Sequence, residues 1–403
     1  MKKFGKFILG LVLVFGVGFT GFIIGGNYRA DMEGAIVSKE DEHIKDMNLL
    51  KALIDQNFLF DYKEEDLYQG SLKGMYANLG DPYTEYFTKD EFSKLMESLN
   101  GRYKGIGVVV QASKEGLIQA VQIFKDSPAE EAGIKVGDYL IKVDGIEYSG
   151  SNMDEAVANI KGDEGTSVKI TVLRTSEDNP KGEELEFEVE RRELEVDTVD
   201  SRIVEEDGKN IGYLHIRSFD DITDEEFDKE YKQLKDQGID GLLLDLRNNP
   251  GGALDVCLNI ADTFLDKGVI VTTEDKNGDI ITEESDEDHD DIPITVLINE
   301  NSASASEILA GALKDRGRAK LVGTKTFGKG IVQKIFPLED GSGAKITVSE
   351  YHTPSGAKIN KVGIEPDIKA ENKDKTYQIN PDNFDDDEVF NMGLVVLLEE
   401  IGE

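Results

Sequence analysis

The sequence predicts an α/β core with a largely parallel sheet. A compact β-rich barrel, a helical region and an apolar segment of membrane length precede it. Three observations carry this expectation. Residues 7–26 hold no charged side chain. Between 102 and 193, short β-rich runs are separated by turns. From 194 onward, apolar runs alternate with helix-period segments, the pattern of a parallel sheet covered by helices. The 403 residues suffice for roughly two or three domains. The formal net charge of −37 argues against nucleic acid as a partner, because phosphates repel an acidic surface. The single cysteine, Cys257, excludes an intrachain disulfide. It lies in "ALDVCLNIADTFL" and reads as a small core residue.

Taken in order, residues 1–6 carry Lys2, Lys3 and Lys6. Residues 7–26 then span about 30 Å as a helix, the thickness of a bilayer core. Positive-inside bias puts the N-terminus in the cytoplasm and residues 27–403 outside the cell membrane, on a single-pass anchor. The alternative is a cleaved signal peptide, but "FIIGGNYRA" offers no A-x-A-like site. Residues 27–101 read as helical, with Ile44, Met47, Leu50 and Ile54 near helical spacing. "DPYTEYF" (81–87) reads as a turn with packed tyrosines. A third helix, "KDEFSKLMESLNG", ends at Gly101.

Residues 102–193 supply five strand-like runs and two short helices, around "SPAEEAG" and "MDEAVANIKG", in a partly open barrel. In 194–375 the strands are "NIGYLHIRSF", "GLLLDLR", "ITVLIN" and "AKLVG", with helices between them. The acidic run "EESDEDHDD" (283–291) reads as a solvated loop, and its spacing fits no calcium-binding loop. Residues 376–403 end in an amphipathic helix, "DDDEVFNMGLVVLLEEIG".

In such a sheet, chemistry gathers beyond the carboxyl ends of the strands. Two ends stand out. "NNPGG" follows "GLLLDLR", with Gly251 and Gly252 opening a helix, and "ENSASAS" follows "ITVLIN". Free amides at helix starts stabilise a developing oxyanion. Ser304 to Glu307 spell S-x-x-E, which places Ser304 at the N-cap and Ala305 at the first helical position. Ser304 therefore stands on the strand-to-helix turn, as a nucleophile or merely as a cap. Ser302 precedes the helix and Ser306 lies inside it.

A serine needs a base. The four histidines, His43, His215, His289 and His352, come with no local signature, so a Ser-His hydrolase using His215 or His352 stays an unsupported alternative. Lys329 in "TFGKGIVQ" is flanked by Gly328 and Gly330, which let its stem thread close to another backbone. Burial would favour its neutral form. The alternative is a lysine pointing into solvent.

"DLRNNPGG", "ENSASASEILAGALKDRGRAKLVG", "TFGKGIVQ" and "YHTPSGAKINKVGIEPDI", in that order, resemble the C-terminal processing peptidases, or tail-specific proteases. "LGDPYTEYF", "YKGIGVVV" and "DSPAEEAGIKVGDYLIKVDGIEY" resemble the family's N-terminal region and PDZ domain. The resemblance implies a crotonase-like protease core with an inserted PDZ domain and a serine endopeptidase that uses a Ser-Lys dyad. It implies Ser304 as nucleophile, Lys329 as base and Gln333 as the residue orienting it. Along a straight strand Lys329 and Gln333 would lie about 13 Å apart, so that contact requires a bend at the glycines. The implied oxyanion hole uses amides of Ala305 and of Gly251 or Gly252. The PDZ loop Gly105, Ile106, Gly107 and Val108 would hold a substrate's terminal carboxylate while the peptide adds a strand. Lys161 stands where many members of the resembled family carry arginine; lysine keeps the charge but loses the bidentate geometry. Expected partners are unfolded or C-terminally exposed proteins, the membrane through 7–26, a second copy through an apolar face at 389–401, and a regulatory protein. No cofactor or metal is expected. A catalytically inert PDZ scaffold is the alternative from another class.

Overall fold

The computed structural model describes residues 42–403 apart from 100–101, 115, 176–178, 196, 375–376, 378, 381–382 and 403. The expected cytoplasmic tail and membrane anchor, 1–26, lie outside the described residues. Among the described residues, no helix is long and apolar enough to cross a membrane.

The described residues fall into two compact units that divide between Gly70 and Ser71. In the first, α1 (Glu42–Asn57) has the expected period, and its Ile44, Met47 and Leu50 are exposed. Helix α2 spans Glu64–Ala77, with three acidic residues in its first turn, where they complement the helix dipole. In the second unit, β1 (Glu85–Phe87) and α3 (Lys89–Leu99) lead to β2 (Arg102–Gly105).

Strand β2 pairs with β9 (Arg192–Glu195), and this ribbon closes the ends of the β-rich insertion. Between them lie β3 (Val108–Ala112), β4 (Ile118–Ile123), α4 (Pro128–Ala132), β5 (Tyr139–Val143), β6 (Ile146–Glu147), α5 (Met153–Ile160), β7 (Ser167–Arg174) and β8 (Glu183–Glu190). Strand alternation buries Val168, Ile170 and Val172 of β7 with Ile118 and Ala120 of β4 in a core of its own.

The remaining chain builds β10 (Val199–Glu206), β11 (Lys209–Ile216), α6 (Thr223–Asp236), β12 (Gly241–Asp245), α7 (Leu254–Asp262), β13 (Gly268–Asp275), β14 (Ile280–Ser285), β15 (Ile294–Ile298), α8 (Ala305–Asp315), β16 (Lys320–Gly323), β17 (Ile331–Pro337), β18 (Gly343–His352), β19 (Ile368–Lys369) and α9 (Glu388–Gly402). One sheet has the order β10-β11-β12-β15-β16-β19. It is parallel except for the β10 edge. Along β12, Leu242 and Leu244 pack with Phe227 of α6, Ile260 of α7 and Leu309 of α8. Leu243, pointing the other way, packs with Phe390 and Leu397 of α9. This two-sided burial is why "GLLLD" is apolar without alternation.

The C-terminal helix is present. Val389, Phe390, Leu394, Val396 and Leu397 cover the chain's own sheet, while Met392 and Val395 stay exposed. A buried ion-pair cluster fastens the helix start: Arg247 bonds Asp387 through both oxygens (2.8 and 2.9 Å) and Asp245 (2.6 Å). Tyr213 completes it by donating to Asp245 (2.8 Å).

A second, antiparallel sheet was not expected. Strand β18 pairs with β1, β13 and β17, and β14 extends it from β13. "DPYTEYF" is thus a turn only as far as Thr84, and Glu85–Phe87 align with Gly343–Lys345. The acidic run is likewise only partly a loop, because Glu283, Glu284 and Ser285 belong to β14. Glu284 is exposed there, where charge discourages further strand pairing.

Candidate active site

The sheet places two loops side by side. Strands β12 and β15 are parallel neighbours, so "NNPGG" and "ENSASAS" leave the same edge of the sheet. They are cross-tied. Asn248 N–H donates to Asn299 Oδ1 (2.9 Å), and Asn299 Nδ2 donates to Asn248 Oδ1 (2.8 Å). Ala303 N–H donates to the Asn249 carbonyl (3.0 Å).

The three serines separate at this point. Ser302 is fully buried and donates to the Leu246 carbonyl (2.8 Å). Ser306 is fully buried and donates to the Asn249 carbonyl (3.0 Å). Ser304 is half-buried and lines a cleft of about 620 Å³. Its backbone has φ 56° and ψ −116°, a strained conformation for a non-glycine residue that throws the side chain outward. Helix α8 begins at Ala305, the register read from S-x-x-E. Ser304 and Glu307 form a capping box: Ser304 N–H donates to Glu307 Oε2 (3.0 Å), and Glu307 N–H faces Ser304, whose carbonyl it meets at 2.8 Å.

Gly251 and Gly252 lie against this turn, with φ 97° and 154°. A Cβ on Gly251 would sit 2.6 Å from Ser304 Cβ, and one on Gly252 would sit 2.1 Å from the Phe219 carbonyl oxygen. Only glycine fits either position. Their amides differ in use. Gly251 N–H donates to Asn249 Oδ1 (2.8 Å). The amides of Gly252 and Ala305 have no acceptor among the described residues, and both residues line the cleft.

Lys329 lines the same cleft on a loop that precedes β17. Gly328 and Gly330 bring that loop against the backbone of 360–363: added Cβ atoms would meet Gly363 N at 3.0 Å and Asn360 N at 2.2 Å. Two groups clasp this loop to the serine turn. Glu307, fully buried, accepts from Thr326 Oγ1 (2.5 Å), Gly328 N–H (2.8 Å), Lys329 N–H (2.8 Å) and Ser304 N–H (3.0 Å). The Tyr351 hydroxyl reaches the carbonyl oxygens of Ser304 (3.0 Å) and of Lys329. Burial raises the Glu307 pKa above the usual carboxylate range, and its donors pull it partly back. Burial lowers the Lys329 pKa; the nearby Lys345 ammonium lowers it further, and Asp81 and Glu307 oppose both.

The Lys329 ammonium lies 4.9 Å from the centre of the Tyr83 ring and has no hydrogen-bond partner among the described residues. Gln333 shares the cleft, and a bulge at Val332/Gln333 supplies part of the required bend. Its amide donates to the Ile331 carbonyl and Thr347 Oγ1, both at 3.4 Å, and not to Lys329. Neither His215 nor His352 lines the cleft; His215 is buried against the Arg247 carbonyl (3.2 Å). Cys257 is core, its thiol pushed up to about 12 by burial under α8.

In the β-rich insertion, Gly105, Ile106 and Gly107 are buried and Val108 opens β3. Gly107 has φ 82°, and a Cβ there would sit 2.3 Å from Ser127 Cβ. Ser127 caps α4 by accepting from Glu130 N–H (3.2 Å). Lys161 stands at the C-cap of α5.

Sequence reasoning missed Asn249, Tyr351, Tyr83 and the second duty of Glu307. Two had a signal: Glu307 through its place in S-x-x-E, which speaks of the helix start alone, and Tyr83 through "DPYTEYF", which speaks of packing alone.

The peptidase family S41 model matches residues 210–370, and a PDZ domain model matches 121–174. A carboxyl-terminal-processing protease from Picosynechococcus sp. is 38% identical over 318 residues, covering 78% of this chain and 76% of that protein. The carboxy-terminal processing protease CtpA of Bacillus subtilis is 35% identical over 384 residues, covering 92% of this chain and 80% of that protein. The solved structure of an S41-family protein from Bacteroides fragilis superposes with a TM-score of 0.53 at 16% identity, over 84% of this chain and 91% of that one, a likeness of fold.

Proposed function

The chain belongs to the carboxyl-terminal processing proteases of peptidase family S41, which are serine peptidases, and from that premise we propose a Ser304–Lys329 endopeptidase that takes proteins by their C-termini. The observation that carries this reading is the shared cleft. It holds one strained, outward serine, one partly desolvated lysine and two unused amides. Neutral Lys329 removes the Ser304 proton, and the alkoxide attacks the peptide carbonyl. The oxyanion is held by the amides of Gly252 and Ala305 rather than Gly251, whose N–H is already engaged. The lysine ammonium returns its proton to the leaving amine. Water then enters, Lys329 deprotonates it, and the acyl-enzyme is hydrolysed. Gln333 reaches Lys329 only if its amide leaves Ile331 and Thr347, two bonds long enough to be exchanged readily. A Ser-His mechanism has no histidine in the cleft to support it.

A fluorophosphonate probe is expected to label the full chain, and Ser304→Ala to abolish both labelling and cleavage of a model unfolded protein with the melting temperature retained. Cleavage surviving in that variant would end the proposal, and an unlabelled, inactive wild type would favour the inert scaffold.

The PDZ domain delivers substrate. Its loop amides at Ile106 and Gly107 receive the terminal carboxylate, and the peptide extends the sheet edge at β3. Gly107→Ala forces strain at a positive φ and a clash with Ser127. It is expected to weaken binding of a free-carboxylate peptide about tenfold or more, about 1.4 kcal/mol. Fluorescence anisotropy with the amidated peptide as control reads this directly, and equal affinity in wild type and variant would remove the loop from recognition.

Residues 7–26 hold the enzyme to the cell membrane with its catalytic part outside; the lysines before the apolar run support this orientation. The exposed apolar side chains of α1, with Met392 and Val395 of α9, suit the homodimer that the family resemblance implies. A regulatory protein rests on that resemblance alone.

A further inference from the structure

We propose that the turn Asp81–Tyr83 is a second seat for the Lys329 amine, in which the amine makes no hydrogen bond to Ser304, and that Tyr83 is a positioning residue for the base. The inference rests on the Ser-Lys reading above. The ammonium lies 4.9 Å from the centre of the Tyr83 ring, within the range in which a cation is drawn to an aromatic face. The neighbouring cleft lysine behaves alike: Lys345 Nζ lies 5.3 Å from the Phe87 ring centre. One short segment, "DPYTEYF", thus presents two aromatic faces to the two lysines of the cleft.

The seat is rigid. Asp81 accepts from Tyr83 N–H (3.1 Å) and Thr84 Oγ1 (2.6 Å). Thr84 Oγ1 accepts in turn from Thr347 N–H of β18 (2.9 Å), and β1 continues the pairing. The Lys329 backbone is equally fixed, its N–H on Glu307 and its carbonyl on Tyr351. Only the lysine side chain is left to move. The groups facing it are sorted by sign. Asp81 and Glu307 favour the ammonium, Lys345 disfavours it, and the two tyrosines, Tyr83 and Tyr351, carry no charge while protonated. Asp220 and Asp221 also line the cleft.

A ring face attracts the ammonium and not the free amine. While Lys329 is protonated, the seat holds it. Once the proton leaves, that attraction is lost and the amine is free to turn toward the Ser304 hydroxyl. Tyr83 therefore couples protonation to position: it holds the inactive charged form away from the nucleophile and raises the pH at which the base becomes available.

The test is the pH dependence of kcat/KM for the full chain on a fluorogenic peptide. Wild type is compared with Tyr83→Phe, with 3,5-difluoro- and pentafluorophenylalanine at position 83, and with Tyr83→Leu. Fluorination drains the ring's negative face while leaving its shape, so folding is preserved. Tyr83→Phe is expected to keep the wild-type midpoint of the ascending limb. The fluorinated series and Tyr83→Leu are expected to move it stepwise to lower pH, by about 0.5–1 unit at the end of the series. An unmoved or upward-moving midpoint across the fluorinated series overturns the inference, as does a full shift in Tyr83→Phe. Lys329→Ala distinguishes the two failures: full activity there defeats the dyad, whereas an inactive Lys329→Ala beside a flat fluorinated series defeats only the seat.

Discussion

Lys329→Ala should leave a folded protein that acylates about 10²–10⁴-fold more slowly, the usual contribution of a positioned base. Folding should survive because the loop is held through its backbone, at Glu307 and Tyr351, and not through the amine. The size of the loss follows from the lack of a substitute. Among the described residues no histidine lines the cleft, and the other amine, Lys345, rests against Phe87 from a different strand. The pH dependence is the sharper signature. The active form of a lysine base is neutral, so wild-type activity rises with pH through the Lys329 pKa. Burial and Lys345 place that pKa below the ordinary lysine value, so the rise comes earlier than for a surface lysine. In the variant the limb should vanish and leave a low, flat profile. Fluorophosphonate labelling rates across pH measure both effects. Wild-type rates with an unchanged limb in Lys329→Ala would remove the lysine from the mechanism.

What could be read in advance depended on how local each signal was. Strand β12 announces itself because both of its faces are buried, and "GLLLD" shows it without alternation. The register of α8 followed from S-x-x-E, and with it the choice of Ser304 over its neighbours. The reason those neighbours are excluded was not legible: Ser302 and Ser306 are engaged by Leu246 and Asn249, residues of the preceding strand-loop unit. The glycines of "FGKG" pointed to a close backbone approach, and the approach is real, although its partner at 360–363 carried no mark. The antiparallel sheet stayed hidden for two reasons. Its central strand β18 is mostly half-buried, which blurs alternation. It also pairs with β1 across a long gap, as the Thr84–Thr347 contact shows at a separation of 263 positions. Tyr83 was hidden by the same distance. Its packing was foreseen, but the lysine it packs against was not. At 389–401 the apolarity was legible, while the buried ion pair that docks the helix on the chain's own sheet was not.

Glu307→Gln is expected to cost activity and stability together, and for separable reasons. The carboxylate meets four donors and no group that must receive a proton from it: Thr326 Oγ1 already accepts from Ile364 N–H (2.7 Å). Such a site holds the ionised form although burial opposes it. An amide keeps one acceptor and turns a donor toward the other pair. Whichever way it flips, about two buried donors lose their acceptor, at about 1–3 kcal/mol each. A drop in melting temperature is therefore expected. If the amide faces Ser304 N–H and Lys329 N–H, the strained serine turn and the lysine loop lose the oxygen they share, and a shift on the order of 1 Å is worth about 10²-fold in rate. A second consequence separates this account from simple unfolding. The Glu307 charge favours the Lys329 ammonium, so its removal lowers the lysine pKa and moves the ascending limb of kcat/KM to lower pH. Differential scanning calorimetry, labelling rate and pH profile on one preparation read the three effects. A variant that melts earlier yet keeps wild-type rate and midpoint would reduce Glu307 to a structural clasp.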